Sequence, residues 1–223
     1  VKLVVGLGNP GLEHRGTRHN VGFDVVDLLS SRHGSGGRLA RSKFQGLLEE
    51  VPVRGERVLL LKPLTYMNRS GLSTAEAIRF HKLDPAADLM VVVDDMAIPC
   101  GTIRLRGEGG AGGHQGLVDV ERALGGARYP RCRVGIDGPG EQSWSDYVLG
   151  RHRPEQRPLV DAGIALAADA VEVWASEGLP AAMNRFNRPD RPESAGTPRP
   201  TRPDRPATPP DASSPGSAGR SPS

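Results

Sequence analysis

Five consecutive apolar residues, Leu89 to Val93, run straight into the acidic pair Asp94-Asp95. An apolar run without alternation is the pattern of a strand buried on both faces, so the sheet that holds it must be covered from both sides. Lys2 to Leu7 is a second such strand, closing in glycine and proline. Gln45 to Val53 and Arg57 to Lys62 read as two more, joined by the turn Arg54-Gly55-Glu56. Helical spacing falls between them. Val21, Val25, Leu28 and Leu29 share a face within Asn20 to Ser30, and Leu72, Ala75, Ile78 and Lys82 share another, stopped by Asp84-Pro85. A helix is expected around Leu117 to Leu124, and Leu159, Val160, Ile164, Ala167, Val171 and Trp174 mark a last one, stopped by Gly178 and Pro180. Two segments alternate instead. Thr102 to Arg106 turns Ile103 and Leu105 inward against Arg104 and Arg106, while Arg131 to Ile136 turns Cys132, Val134 and Ile136 inward against Arg131 and Arg133. The expected architecture is α/β, a single domain with a twisted mixed β-sheet covered by helices on both faces.

Composition draws the boundary of that domain. Residues 188–223 hold ten of the 20 prolines and no Val, Ile, Leu, Met, aromatic residue or Cys, so burial there has nothing with which to offset ordering entropy. The reading is a domain over 1–187 and a disordered Pro/Arg/Ser-rich tail over 188–223. The tail carries six Arg and four acids, which leaves 23 basic and 22 acidic residues in the first 187. Bulk charge therefore gives no argument for nucleic acid, and only a local Arg cluster does. Two cysteines 32 residues apart, without a C-x-x-C pair, fit a reduced cytoplasmic protein. No apolar run approaches the roughly 20 residues that span a bilayer, and no apolar segment precedes Lys2, so neither membrane insertion nor secretion is expected.

Several familiar motifs fail on context. Gly6-Leu7-Gly8-Asn9-Pro10-Gly11 satisfies G-x-G-x-x-G after a strand, but helical spacing begins only near Asn20 and no acid follows at the end of a second strand. The loop Gly109 to Gly113 lacks the following Lys-Ser or Lys-Thr of a phosphate-binding loop, and no G-x-S-x-G elbow exists. His14 and His19 lack the spacing of a helical zinc pair, and no metal is expected. The ends of the strands are more informative, because ligands of open α/β sheets bind beyond the carboxyl ends. One strand delivers Asn9, a second leads into Thr65-Tyr66-Met67-Asn68, and the run Leu89 to Val93 delivers Asp94. If these strands are neighbours, two amides and a carboxylate converge, and His19 is placed to join them. An imidazole oriented by a carboxylate takes a proton from water, which is general-base hydrolysis without a covalent intermediate. Taken singly, the same residues also suit a turn former, a cap and a solvated loop, and the Arg pairs also suit a solvated sheet face.

Together they resemble a family. Val5-Gly6-Leu7-Gly8-Asn9-Pro10-Gly11, Thr17-Arg18-His19-Asn20-Val21-Gly22, Pro63-Leu64-Thr65-Tyr66-Met67-Asn68-Arg69-Ser70-Gly71 and Gly112-Gly113-His114-Gln115-Gly116 occur in the order and at the separations of the bacterial peptidyl-tRNA hydrolases. The resemblance covers about residues 2 to 187 and implies a monomeric, cofactor-free and metal-free cytoplasmic esterase that cuts peptide from the 3′ ribose of transfer RNA. It implies that His19 is the general base, that Asp94 orients it, that Asn9 recognises an N-blocked aminoacyl group and that Asn68 polarises the scissile carbonyl. It further implies substrate contacts from His14, Tyr66, Met67, His114 and Gln115, and phosphate contacts from Arg106 and Arg133, whose forked donors suit them.

Three positions depart from the family pattern: His14 stands in place of Tyr, Gln115 in place of Asn, and Gln142 in place of Lys. These substitutions keep a second expectation open, a weakly active or inactive paralogue that binds RNA. The composition break itself gives a test. Deleting residues 188–223 is expected to leave the thermal midpoint unchanged in a denaturation scan, and a large drop would show that the boundary is misplaced.

Overall fold

The computed structural model describes residues 1–36 and 40–187, so the expected tail lies outside the described residues. The strands are β1 (Lys2–Gly6), β2 (Arg41–Lys43), β3 (Gly46–Val53), β4 (Glu56–Pro63), β5 (Leu89–Asp95), β6 (Ile103–Arg106) and β7 (Arg131–Gly135). They form one sheet in the order β2-β3-β4-β1-β5-β7-β6. The inner strands β4, β1, β5 and β7 are parallel, whereas β2, β3 and β6 pair antiparallel at the two sides. β5 thus has parallel neighbours on both edges, as its unbroken apolar run requires. Val91, Val92 and Val93 are fully buried, each stabilising the fold by about 1.5–3 kcal/mol relative to exposure.

Helices cover both faces. α1 (Val21–His33), α6 (Arg157–Glu177) and α7 (Leu179–Phe186) pack over Val4, Leu60, Met90, Val92, Cys132 and Val134. α2 (Ser70–His81) and α4 (Gln115–Leu124) cover Leu3, Val5, Leu61, Val91 and Val93. Two short helices complete the set, α3 (Pro85–Asp88) and α5 (Trp144–Leu149). The β3–β4 hairpin turns on Arg54 and Gly55, at φ 48° and 86°, the left-handed pair that matches the twist of a two-residue hairpin.

Four sequence readings change. α2 ends at Lys82, which adopts the left-handed conformation, so Asp84-Pro85 does not stop it; the Asp84 side chain instead caps α3, accepting from the Ala86 N–H at 3.0 Å. The buried face of α2 runs through Ser70, Ser73, Thr74, Ala77 and Ile78, with Leu72 exposed, because small residues let it approach α4 closely. At Gly71 a Cβ would lie 2.3 Å from the Asp119 carbonyl oxygen. Pro180 does not end a helix but sits in the first turn of α7, where its missing N–H costs nothing. Arg131 is not outward in any solvated sense. It is fully buried beneath α4, where its guanidinium donates to the carbonyls of Gly109 and Ala127 and to Glu121 at 3.1 Å.

One acid on α1, Asp24, is half-buried beside α6 at a cost. Burial is the largest influence on the Asp24 carboxyl; with Asp27 and Asp161 it outweighs Arg157 and Lys62 and lifts the pKa from 3.8 to about 6. The folded chain therefore holds this proton more tightly than the unfolded chain. Its stabilising share is whole below about pH 4 and is lost as pH rises through about 6. Asp24→Asn is expected to stabilise the protein at about pH 8, by up to about 3 kcal/mol, and to change nothing near pH 4; thermal denaturation at the two pH values checks both halves.

Candidate active site

The loops leaving β1, β4 and β5 meet at one end of the sheet, and glycines set how closely they do so. At Gly22, in the first turn of α1, a Cβ would lie 2.5 Å from the carbonyl oxygens of both Leu7 and Val92. Only glycine lets the helix start directly on the β1 and β5 backbones. That contact brings the 3-10 turn Arg18–Asn20, which precedes α1, over the end of β5. His19 Nδ1 then lies 2.8 Å from Asp94 Oδ1. At Gly116, in the first turn of α4, a Cβ would lie 2.6 Å from Met67 Sδ, so that helix also starts hard against the site.

His114 completes the group. Its Nε2 lies 3.1 Å from the same Asp94 oxygen, and its ring centroid is 4.9 Å from that of His19. As the cap of α4 it accepts the Leu117 N–H at Nδ1, at 3.3 Å. That bond assigns the proton to Nε2, which donates to Asp94. Asp94 is buried, and burial alone would raise its carboxyl, but the imidazoles of His19 and His114 outweigh it and hold it well below the usual carboxylate range. An ionised Asp94 accepts from His19 Nδ1–H, which leaves His19 Nε2 as the bare, basic nitrogen. Although the donor atoms of His19, Asp94 and His114 lie within 4.8 Å of one another, a proton occupies each gap. The trio fits a hydrogen-bond relay rather than a metal's coordination shell.

Asn9 is pinned from three sides. Its N–H donates to Asn20 Oδ1 at 2.9 Å, its carbonyl accepts from Asn20 Nδ2 at 2.9 Å, and its side-chain oxygen accepts the Met67 N–H at 2.8 Å. Its NH₂ is therefore the end that remains to donate to a ligand. The Met67 contact depends on Tyr66, whose φ of 59° and ψ of 158° lie in a region normally reserved for glycine, a strain of about 1–3 kcal/mol. Asn68 and Tyr66 are exposed on this turn, and Tyr66 meets His14 edge-on at 6.5 Å. Beside it opens a groove of about 370 Å³ lined by Ser42, Gln45, Leu64, Thr65, Tyr66 and Arg69. Gln115 is exposed at the start of α4, and Gln142 is exposed in the turn after Pro139.

Two of the four arginines stand as the alternation suggests, Arg104 and Arg106 being exposed, and the other two do not. Arg133 is only 13% exposed and is held by Asp95 at 3.1 Å and by the Gly110 carbonyl at 2.8 Å. Register places Arg104 opposite Arg133 and Arg106 opposite the buried Arg131. Together Arg131 and Arg133 strap down the glycine loop that delivers His114. Two residues that the chemistry-led reading passed over support His19 itself. Asn20 ties its turn to Asn9, and Arg18 is buried, stacking 3.9 Å from the Tyr147 ring and donating to the Tyr147 carbonyl at 3.1 Å and to Gln156 at 2.9 Å. Both lie inside the Thr17 to Gly22 motif, which was the available signal.

The thiols offer no competing nucleophile: Cys100 and Cys132 are buried, and burial pushes Cys132 up to about 12. The site is thus that of an α/β enzyme equipped to activate water against a carbonyl, not that of a dinucleotide-binding domain. The family model for peptidyl-tRNA hydrolase matches residues 3–194. A peptidyl-tRNA hydrolase of Chloroflexus aggregans is 47% identical over 186 residues, covering 83% of this chain and 98% of the relative. One from Halalkalibacterium halodurans is 43% identical, covering 84% and 100%. The crystal structure of peptidyl-tRNA hydrolase from Acinetobacter baumannii superposes with a TM-score of 0.78 at 37% identity, covering 84% of this chain and 94% of that one. The chain belongs to the peptidyl-tRNA hydrolase family.

The tautomers assigned above are measurable. Long-range proton–nitrogen NMR correlation at mildly alkaline pH is expected to find His19 protonated at Nδ1 and His114 at Nε2, and Asp94→Asn is expected to abolish the His19 preference.

Proposed function

We propose that this protein hydrolyses the ester between a peptide and the 3′ ribose of transfer RNA, returning the RNA to use. The observation that carries the reading is the 2.8 Å bond from His19 to the buried Asp94, which leaves the other imidazole nitrogen free to act as a base. His19 Nε2 takes a proton from water as the water oxygen bonds to the ester carbonyl carbon. Asp94 keeps the ring in the required tautomer and balances the charge that the ring acquires. The Asn68 amide binds the substrate and polarises the carbonyl, and Asn9 Nδ2–H donates to the N-blocked aminoacyl group. The tetrahedral intermediate collapses by breaking the bond to the ribose 3′ oxygen, which leaves with the proton held on His19. General-base action of this kind contributes about 10² to 10⁴-fold, with positioning supplying much of the rest.

We assign further substrate contacts to His14, Tyr66, Met67, His114 and Gln115, and RNA-phosphate contacts to Arg106 and Arg133. We further propose that the hydrolase domain ends near residue 187 and acts as a monomer in the cytoplasm. Reduced, buried cysteines support that compartment, and among the described residues no helix is long and apolar enough to cross a membrane. A pure RNA-binding role is the weaker reading, because His19, Asp94, Asn9 and Asn68 are all retained.

Purified protein is expected to release N-acetyl-amino acid from N-acetyl-aminoacyl-tRNA. His19→Ala should abolish release, and Asp94→Asn, which presents an NH₂ to Nδ1 and forces the wrong tautomer, should lower it about 10² to 10⁴-fold. Gln115→Asn should raise turnover. Absence of release at high enzyme concentration would reject the assignment in favour of a binder.

A further inference from the structure

The chain has two tryptophans, in opposite environments. Trp174 is 2% exposed within the core, whereas Trp144, the first residue of α5, is 63% exposed. The position of Trp144 is specific. A Cβ at Gly113 would lie 3.4 Å from its Cζ3, so the edge of the indole rests on the glycine loop, one residue from His114. Gly112 and Gly113 carry no side chain and have φ of 63° and 84°, so bare backbone lies beside the ring. Ser143 fixes the start of the helix, accepting the Asp146 N–H at 3.1 Å. An exposed indole held against backbone at the rim of a site is a platform for a flat, π-rich ligand.

The geometry of the reaction selects that ligand. In the hydrolase reading, on which this inference rests, the bond that breaks sits on the 3′-terminal ribose. The base on that ribose is therefore within one nucleoside of His19 and Asp94. Sheet order separates the two flanks: the glycine loop joins β6 to the α4–β7 segment on the side of Arg104, Arg106 and Arg133, while the groove beside Tyr66 lies toward β4, β3 and β2. RNA on the arginine side places its last base by Trp144 and directs the peptide toward the other flank. We propose that Trp144 stacks on the 3′-terminal base of the substrate RNA and so sets specificity for a complete acceptor end.

Fluorescence and kinetics test this on the full chain. Because Trp174 is buried, quenching of tryptophan emission reports Trp144. Deacylated tRNA with its terminal adenosine is expected to quench emission, and the same tRNA lacking that nucleoside is expected not to. Trp144→Ala is expected to raise KM for N-acetyl-aminoacyl-tRNA by about five- to a hundredfold, the range of one base stacking on an aromatic ring, with kcat within about twofold. Trp144→Phe should restore most of the loss. Equal quenching by both RNAs, an unchanged KM, or a fall confined to kcat, as a lid would give, overturns the proposal. Because the quenching measurement needs no turnover, it reads the stacking even if the enzyme proves inactive, which separates failure of this inference from failure of the hydrolase reading.

Discussion

A single carboxylate oxygen, that of Asp94, receives both imidazoles, and the arrangement around it accounts for much of the molecule. A charge buried at the end of a central strand is costly unless hydrogen bonds satisfy it. His19 and His114 supply them, one from the turn before α1 and the other from the cap of α4. The two helices lie on opposite faces of the sheet, so the carboxylate joins both layers at the carboxyl end of β5. Each helix must start hard against its neighbours, and glycine meets that demand: Gly22 against the Leu7 and Val92 backbone, Gly116 against the Met67 and Leu7 side chains.

The supports of these two histidines differ. His19 stands on a turn held by a buried Arg18, whose guanidinium reaches Tyr147 and Gln156 late in the chain. His114 ends a glycine-rich loop fastened from beneath by Arg131 and Arg133. Arginine suits both tasks because its planar fork satisfies several carbonyls at once without surrendering its charge. The same engagement changes the meaning of the Arg pairs. Arg131 is structural, and Arg133 reaches solvent only in part, whereas Arg104 and Arg106 are the exposed pair of this edge.

Much of the architecture could be read from periodicity. The unbroken run of β5 and the alternation of β6 and β7 gave strands, and the ends of β1, β4 and β5 gave Asn9, the Tyr66 turn and Asp94. The errors arose where local patterns were taken as complete. Alternation correctly put Arg131 on the opposite face from Cys132, but it carries no information about whether a helix covers that face. Proline was read as a terminator at residues 85 and 180, although in both places it begins a helix. The literal G-x-G-x-x-G match at Gly6 and Gly8, by contrast, is rightly excluded by its context; these glycines are points of close contact, since a Cβ at Gly6 would lie 2.1 Å from the Gly22 carbonyl oxygen.

The sequence by itself determined which residues are apolar, at which period, and therefore which strands are central and which segments are helical. It also determined the chemical kit of imidazoles, amides and one acid. The tertiary structure alone decided that His19 and His114 share one oxygen of Asp94, that Asn9 turns its NH₂ outward, and that one indole stays in water while the other is sealed in the core. The physical reason is that these outcomes depend on distances between segments some 20 to 138 residues apart. Such distances follow from sheet order and close helix–strand contact, and no local period encodes them.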